Sequence, residues 1–300
     1  MKKIKHDGEP IIEVRELVKR FGEQVVLSGV NLTVERGETL VVMGGSGSGK
    51  STLLRHMIGS LRPDAGTVRL LGNDLSALDE EGLNEVRKKI GILFQSGALF
   101  NSMTVAENVA LPLQEHTMLD QNIINIQVKI KLELVGLREH ADKYPAQISG
   151  GMKKRAGLAR ALSLDPQVLF YDEPSAGLDP VTSAGIDRLI IDLSKKLGVT
   201  SVVVTHEMDS AFAVADRMAM LEHGRMLMVA EREAFESLRS FPPDRLGELD
   251  DRQLTIRQFL RGDAEGPITR RKASTSYAED LLGGGLPPGA GPAVESTRAV

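Results

Sequence analysis

One octapeptide in this 300-residue chain has the residue types that a polyphosphate requires. Gly44-Gly45-Ser46-Gly47-Ser48-Gly49-Lys50-Ser51 fits the pattern G-x-x-x-x-G-K-[ST]. Residues this small let backbone N–H groups wrap phosphate oxygens at close range. A helix that starts at the loop's end adds the positive pole of its dipole. Lys50 is placed to reach the β- and γ-phosphates of a nucleotide such as ATP. The Ser51 hydroxyl is placed to bind Mg²⁺, and Thr52 completes the phosphate-binding set. A second site follows the apolar run Val168-Leu169-Phe170-Tyr171, which ends in the carboxylates Asp172 and Glu173. Asp172 suits Mg²⁺, through water. Glu173 suits the polarisation of an attacking water. Alone, that pair reads as a charged turn after a buried strand; beside the phosphate loop it reads as the machinery of nucleotide hydrolysis.

These residues need a scaffold that brings a loop and a strand end together. Thr39 to Met43 is a continuous apolar run, as in a parallel strand buried on both faces, and it leads into the glycines and a helix from about Lys50. Gln167 to Tyr171 and Ser201 to Thr205 are two more such strands. Between them Ile186, Leu189, Ile190, Leu193 and Leu197 recur at helical spacing, with Gly198 as a C-cap. Strand, helix and strand in that order predict a parallel sheet with right-handed crossovers. Ile11 to Val34 alternates apolar runs with turn residues and predicts antiparallel strands. Residues 98–160 differ. Thr104-Val105-Ala106-Glu107 has capping-box spacing, and helices predominate to about Leu164. This predicts a helical subdomain inserted in an α/β core. Strands stop after about Arg232. Gly283 to Pro292 holds five Gly and three Pro, too few apolar groups for a packed core, so a disordered tail is expected.

Bulk properties exclude several classes. With 41% hydrophobic and 26% charged residues, the composition is that of a globular protein. A formal net charge of -4 lacks the basic excess of a nucleic-acid binder, so no nucleic-acid partner is expected. The chain has no cysteine, which removes disulfides and thiolate metal sites. Met1-Lys2-Lys3-Ile4-Lys5 resembles the start of an export signal, but His6-Asp7-Gly8-Glu9-Pro10 interrupts any apolar segment, so export is not expected. No apolar run approaches the ~18 residues of a membrane helix. Work at a membrane would require a partner that spans it.

Taken together, the motifs resemble the ABC ATPase family over about Ile11 to Met228. Ile148-Ser149-Gly150-Gly151-Met152 looks like the family signature L-S-G-G-Q, with the central Ser-Gly-Gly intact and Ile and Met at its ends. In isolation it is an N-cap turn, and a helix N-terminus is itself an anion site. The resemblance implies that Ser149, Gly150 and Gly151 contact the γ-phosphate held by another protomer's phosphate loop. Two ATP molecules would then be sandwiched in a head-to-tail homodimer. Met152 cannot make the hydrogen bonds of Gln. The resemblance also implies that Gln95, in Leu93-Phe94-Gln95-Ser96, senses Mg²⁺ and links to the helical subdomain. It places Gly177-Leu178-Asp179 at the dimer interface. His206 becomes the switch histidine at the γ-phosphate, and Phe21 the aromatic that stacks on adenine. The implied fold is an α/β P-loop NTPase: a RecA-like mixed or parallel sheet, an N-terminal antiparallel β-subdomain and an inserted helical subdomain. Its expected limits are 1–240 for the ATPase domain (helical subdomain about 98–160), 241–268 for a C-terminal extension and 269–300 for the tail.

Within the family, Phe94-Gln95-Ser96-Gly97-Ala98-Leu99-Phe100, Gly151-Met152-Lys153-Lys154-Arg155-Ala156 and Asp172-Glu173-Pro174-Ser175-Ala176-Gly177-Leu178-Asp179-Pro180 resemble the Mla/Mce-associated branch, which moves phospholipids or related apolar solutes. Arg257-Gln258-Phe259-Leu260-Arg261-Gly262, followed by Gly266-Pro267, resembles that branch's C-terminal extension. No chemistry makes these residues lipid-specific, because the ATPase never touches the cargo. The resemblance implies an integral membrane permease as partner, with an Mce-type substrate-binding protein and a small regulatory subunit. It implies a peripheral location on the cytoplasmic face of the inner membrane. The alternatives are an ABC ATPase for another cargo and, further off, a soluble ABC protein of DNA repair or translation.

Overall fold

The computed structural model describes residues 9–269. The lysine-rich start and the Gly/Pro-rich tail lie outside the described residues. The elements in chain order are β1 (Ile12–Phe21), β2 (Gln24–Val34), β3 (Thr39–Met43), α1 (Lys50–Met57), β4 (Ala65–Leu70), β5 (Asn73–Asp74), α2 (Glu80–Arg87), β6 (Ile90–Leu93), α3 (Val105–His116), α4 (Gln121–Leu134), α5 (Gly150–Ala161), β7 (Val168–Asp172), α6 (Pro180–Leu197), β8 (Thr200–Val204), α7 (Met208–Val214), β9 (Arg217–Glu222), β10 (Arg225–Glu231), α8 (Arg232–Arg239) and α9 (Asp251–Arg261).

Two sheets form. The first is antiparallel, in the order β2-β1-β4-β5; the second runs β10-β9-β3-β8-β7-β6. In the second, β9, β3, β8, β7 and β6 are parallel, and only β10 is antiparallel, to β9. The apolar runs are continuous because both faces of this sheet are covered. Val41 and Met43 of β3, Leu169 and Tyr171 of β7, and Val203 of β8 pack with α3 to α9 on one side. Leu40 and Val42, Val168 and Phe170, and Val202 and Val204 pack on the other, with the first sheet, α1 and α2. A period of two divides each strand between two cores.

The helix ends carry the chemistry that the sequence suggested. The Thr104 hydroxyl accepts from the Glu107 N–H while the Glu107 carboxylate accepts from the Thr104 N–H, which closes the capping box of α3. Asp179 caps α6, which ends on Gly198 at φ 64. β10 ends at Glu231 and no strand follows it among the described residues. No described helix is long and apolar enough to cross a membrane.

Candidate active site

Parallel strands end on one edge of a sheet, and ligands of open α/β folds bind at that edge. Register places Met43 beside Met220, Val42 beside Val204, Asp172 beside Val204, and Leu93 beside Tyr171. The segments leaving these strands therefore emerge side by side. They carry Gly44 to Ser51 after β3, His206 after β8, Asp172 and Glu173 at the end of β7, Gln95 after β6, and Glu222 at the end of β9.

Two glycines of the phosphate loop, Gly44 and Gly49, are held by close packing. A Cβ on Gly44 (φ 152) would lie 2.0 Å from the Leu221 carbonyl oxygen, and one on Gly49 (φ 105) would lie 2.8 Å from a Leu27 methyl and 3.0 Å from the Val26 oxygen. Side chains there would drive the loop off β9 and β2, on which it rests. Gly49 is also the N-cap of α1, where no side chain caps the helix and no acidic residue occupies the first turn. The exposed N–H groups of α1 therefore remain available to an anion. The Ser48 hydroxyl is buried without a partner among the described residues. Lys50 Nζ donates to the carbonyls of Gly44 at 2.8 Å and Gly45 at 2.9 Å. It folds onto its own loop and bridges no carboxylate among the described residues. Burial pushes its amine pKa down, against the fields of Glu173, Glu222 and Asp172. An open helix end, an orphan hydroxyl and a buried ammonium without a carboxylate fit a polyphosphate with its cation. Ser51 is exposed and Thr52 half-buried in the first turn of α1.

Across the loop stands the carboxylate pair. Glu173 adopts φ 50, a left-handed conformation rare outside glycine. Its N–H donates to the Val204 carbonyl at 2.9 Å, and its Oε1 accepts from His206 Nδ1 at 2.9 Å. The His206 backbone N–H approaches Oε2 at 3.4 Å. Glu173 and His206 thus follow the adjacent strands β7 and β8 and share a hydrogen bond. Burial raises the Asp172 carboxyl pKa, with Glu173 adding to it, while Arg55, Lys154 and Lys50 oppose. A bound cation would relieve that penalty.

Three expected participants make no side-chain hydrogen bond to these groups among the described residues. The Ser149 hydroxyl caps α5, accepting the Met152 N–H at 3.3 Å, and Ser149 and Gly150 are exposed. A Cβ on Gly151 would meet Thr182 at 2.4 Å, and one on Gly150 would lie 3.7 Å from Leu178, so this turn packs on the Gly177–Asp179 loop and α6. Among the described residues no hydrogen bond joins Ser149, Gly150 or Gly151 to the phosphate loop of the same chain. Gln95 is exposed past the end of β6. Phe21 closes β1, half-exposed at 49%, with Lys19 Nζ 5.5 Å from its ring centre. The adjoining β2 touches Gly49 through Val26 and Leu27.

Sequence reasoning missed two charged neighbours. Lys154 of α5 donates to the Glu173 carbonyl at 2.8 Å. Glu222 turns a partnerless buried Oε2 toward Gly45, 3.6 Å from where a Cβ would stand. The only signal for Glu222 was a carboxylate that ends an apolar strand.

Comparison with known proteins agrees with this geometry. The family model described as "ABC transporter" matches residues 27–176. The chain is 39% identical, over 91% of its length and 97% of the relative's, to the Escherichia coli K12 "Intermembrane phospholipid transport system ATP-binding protein MlaF". It is 42% identical, over 90% of its length and 74% of the relative's, to the "Probable ribonucleotide transport ATP-binding protein mkl" of Mycobacterium leprae. A dimeric ATP-binding cassette in a post-hydrolysis state, bound to ADP and Pi, superposes with a TM-score of 0.68 at 31% identity, covering 74% of this chain and 98% of that one. Strand-edge chemistry and near-full-length relatives lead to one assignment: the chain belongs to the ABC transporter family, as an ATP-hydrolysing cassette.

Proposed function

We propose that this cassette energises a permease that moves phospholipid or a related apolar solute across the cell envelope, from the cytoplasmic face of the inner membrane. The observation that carries the ATPase part is the Glu173–His206 hydrogen bond, opposite the phosphate loop on the same sheet edge. In this reading Gly44 to Gly49 and the N-terminus of α1 bind the phosphates, Lys50 leaves its loop carbonyls for the β- and γ-oxygens, and Phe21 stacks on adenine. Ser51, Gln95 and Asp172 would hold Mg²⁺, which would supply charge neutralisation at the phosphates. Glu173 takes the proton of the attacking water, and His206 turns from Glu173 to the γ-phosphate. Ser149 to Gly151 serve the nucleotide of the second protomer. Residues 98–160 act as the helical subdomain that reaches the permease, within an ATPase domain of 1–240. Residues 241–268 form an extension, of which α9 is the α-helix.

Relative length supports the lipid reading over the ribonucleotide one. The chain covers 97–99% of the phospholipid-system relatives but 72–74% of the ribonucleotide-named ones. An Mce-type substrate-binding protein and a small regulatory subunit complete the proposed assembly. For the ATPase, Glu173→Gln is expected to keep ATP bound and hold the dimer closed; hydrolysis at the wild-type rate removes Glu173 as the base. For the cargo, the complex is purified in detergent with its native partners and its lipids are extracted. Co-purifying phospholipid is the expected result, and a water-soluble cargo alone rejects it.

A further inference from the structure

Lys154 sits in the second turn of α5, outside the nucleotide-binding motifs. It is 5% exposed, and Nζ donates to the Glu173 carbonyl at 2.8 Å. A lysine ammonium is strongly hydrated, so burying it is costly unless its donors are used. No salt bridge takes Lys154 among the described residues. Its surroundings are the acidic end of the site: burial drives its amine pKa down, and Glu173, Glu207 and Asp172 oppose this.

The bond falls on a strained residue. Glu173 holds φ 50 between two anchors. Its N–H is tied to the Val204 carbonyl of β8 at 2.9 Å, and its carbonyl accepts from Lys154 of α5 and, at 3.3 Å, from the Ala176 N–H. A left-handed residue persists where its surroundings over-determine it. Of these anchors, Lys154 alone comes from the helical segment that begins at Ser149.

We propose that Lys154 is a positioning residue: its bond to the Glu173 carbonyl fixes the twist that aims the Glu173 carboxylate, and ties that aim to the placement of α5. The inference rests on the reading of Glu173 as the base. The helix whose N-terminus would serve the partner's nucleotide also holds the base of its own protomer, so a shift of α5 reaches both sites.

The test uses the full chain with Mg²⁺ and ATP: wild type, Lys154→Met, Lys154→Arg, Glu173→Gln and the double variant Glu173→Gln/Lys154→Met. Turnover is read under steady-state and single-turnover conditions, thermal midpoints by circular dichroism, and binding with a fluorescent ATP analogue. A misaimed base costs about 10- to 100-fold. Lys154→Met should therefore lose that much kcat with KM and analogue affinity within about twofold. Lys154→Arg, which keeps a cationic donor, should recover most of the rate. In the Glu173→Gln background, where no base remains to be aimed, Lys154→Met should cost nothing further. Wild-type kcat in Lys154→Met overturns the inference. So does an equal loss in both backgrounds, which marks a merely structural lysine, or an arginine variant as slow as the methionine one. Lys154→Gln, shorter and uncharged, gives the same comparison with the same overturning results should the methionine variant not fold. If Glu173→Gln itself runs at the wild-type rate, the reading of the base fails. If it is slow while Lys154→Met is fast, only the role of Lys154 fails.

Discussion

At the scale of single residues, the interior behind the site holds a carboxyl group that the catalytic reading does not use. Asp187 of α6 is 7% exposed. Its Oδ2 accepts from the Ser210 hydroxyl at 2.7 Å, and Ser210 in turn meets Ser175 at 3.0 Å and Ser183 at 3.4 Å. Its Oδ1 has no partner among the described residues. Burial raises the carboxyl pKa from its ordinary 3.8; the Ser210 bond opposes this and Glu207 adds to it. The folded chain therefore keeps this proton to higher pH than the unfolded chain. The group's stabilising contribution is full below pH 3.8 and is lost as pH rises through the raised folded value. Asp187→Asn keeps an acceptor for Ser210 and removes the ionisation. Its thermal midpoint should exceed wild type at neutral pH, and the gap should close in acid. A lower midpoint at neutral pH would show that the buried charge is a favourable part of the network. Residues at this scale were legible where chemistry depends on local order. Lys50, Asp172 and His206 each follow an apolar run or a glycine string that announces a strand end. Lys154 and Glu222 were not, because their meaning lies in contacts with Glu173 and Gly45, which local sequence does not encode.

At the scale of elements, α5 and β6 are fitted to each other through two glycines. A Cβ on Gly91 of β6 would lie 2.2 Å from the Ala161 carbonyl, and one on Gly157 of α5 would lie 2.8 Å from the Gly97 carbonyl and 3.1 Å from Leu93. The first contact is with backbone, which cannot rotate away. Gly91→Ala must lift α5 or bend β6, and overpacking of this kind costs about 1–3 kcal/mol. Urea unfolding should show that loss, with a fall in ATP turnover because α5 carries both Ser149 and Lys154. A variant as stable as wild type would mean that α5 rides further from the sheet. The same strand shows where element reading stops. β3, β7 and β8 were legible because both faces are buried and each holds an unbroken apolar run, Leu40 to Met43, Val168 to Tyr171 and Val202 to Val204. Ile90-Gly91-Ile92-Leu93 is short, contains a glycine and owes its strand character to pairing with β7. β4 and the β9–β10 hairpin were likewise unread, since their pairing with β1 and β3 is a tertiary matter. The capping box at Thr104 was read correctly because a cap is a contact across three residues.

At the scale of the whole molecule, two cores meet at one sheet, and the sheet's edge presents an incomplete site. The phosphate loop, Glu173 and His206 gather on it, whereas the turn that opens α5, with Ser149 and Gly150 exposed, packs on Leu178 and Thr182 rather than on the loop. A head-to-tail pair of chains would bring each exposed turn to the other's loop, which is an arrangement of closed two-fold symmetry. Complementation tests this directly. Lys50→Ala disables one half of each site and Ser149→Arg the other, so each variant alone should be nearly inactive. In a mixed dimer the two lesions fall on the same site and leave the second intact. Random pairing at equal concentrations makes about half the dimers mixed, with one working site each, so activity should return to about a quarter of wild type. The return should depend on total protein concentration, because the complete site exists only in the dimer. Both variants must first show wild-type thermal midpoints. If the mixture then stays as inactive as its components at every ratio, each chain completes its own site, and the exposed Ser149 turn serves something other than a partner's ATP.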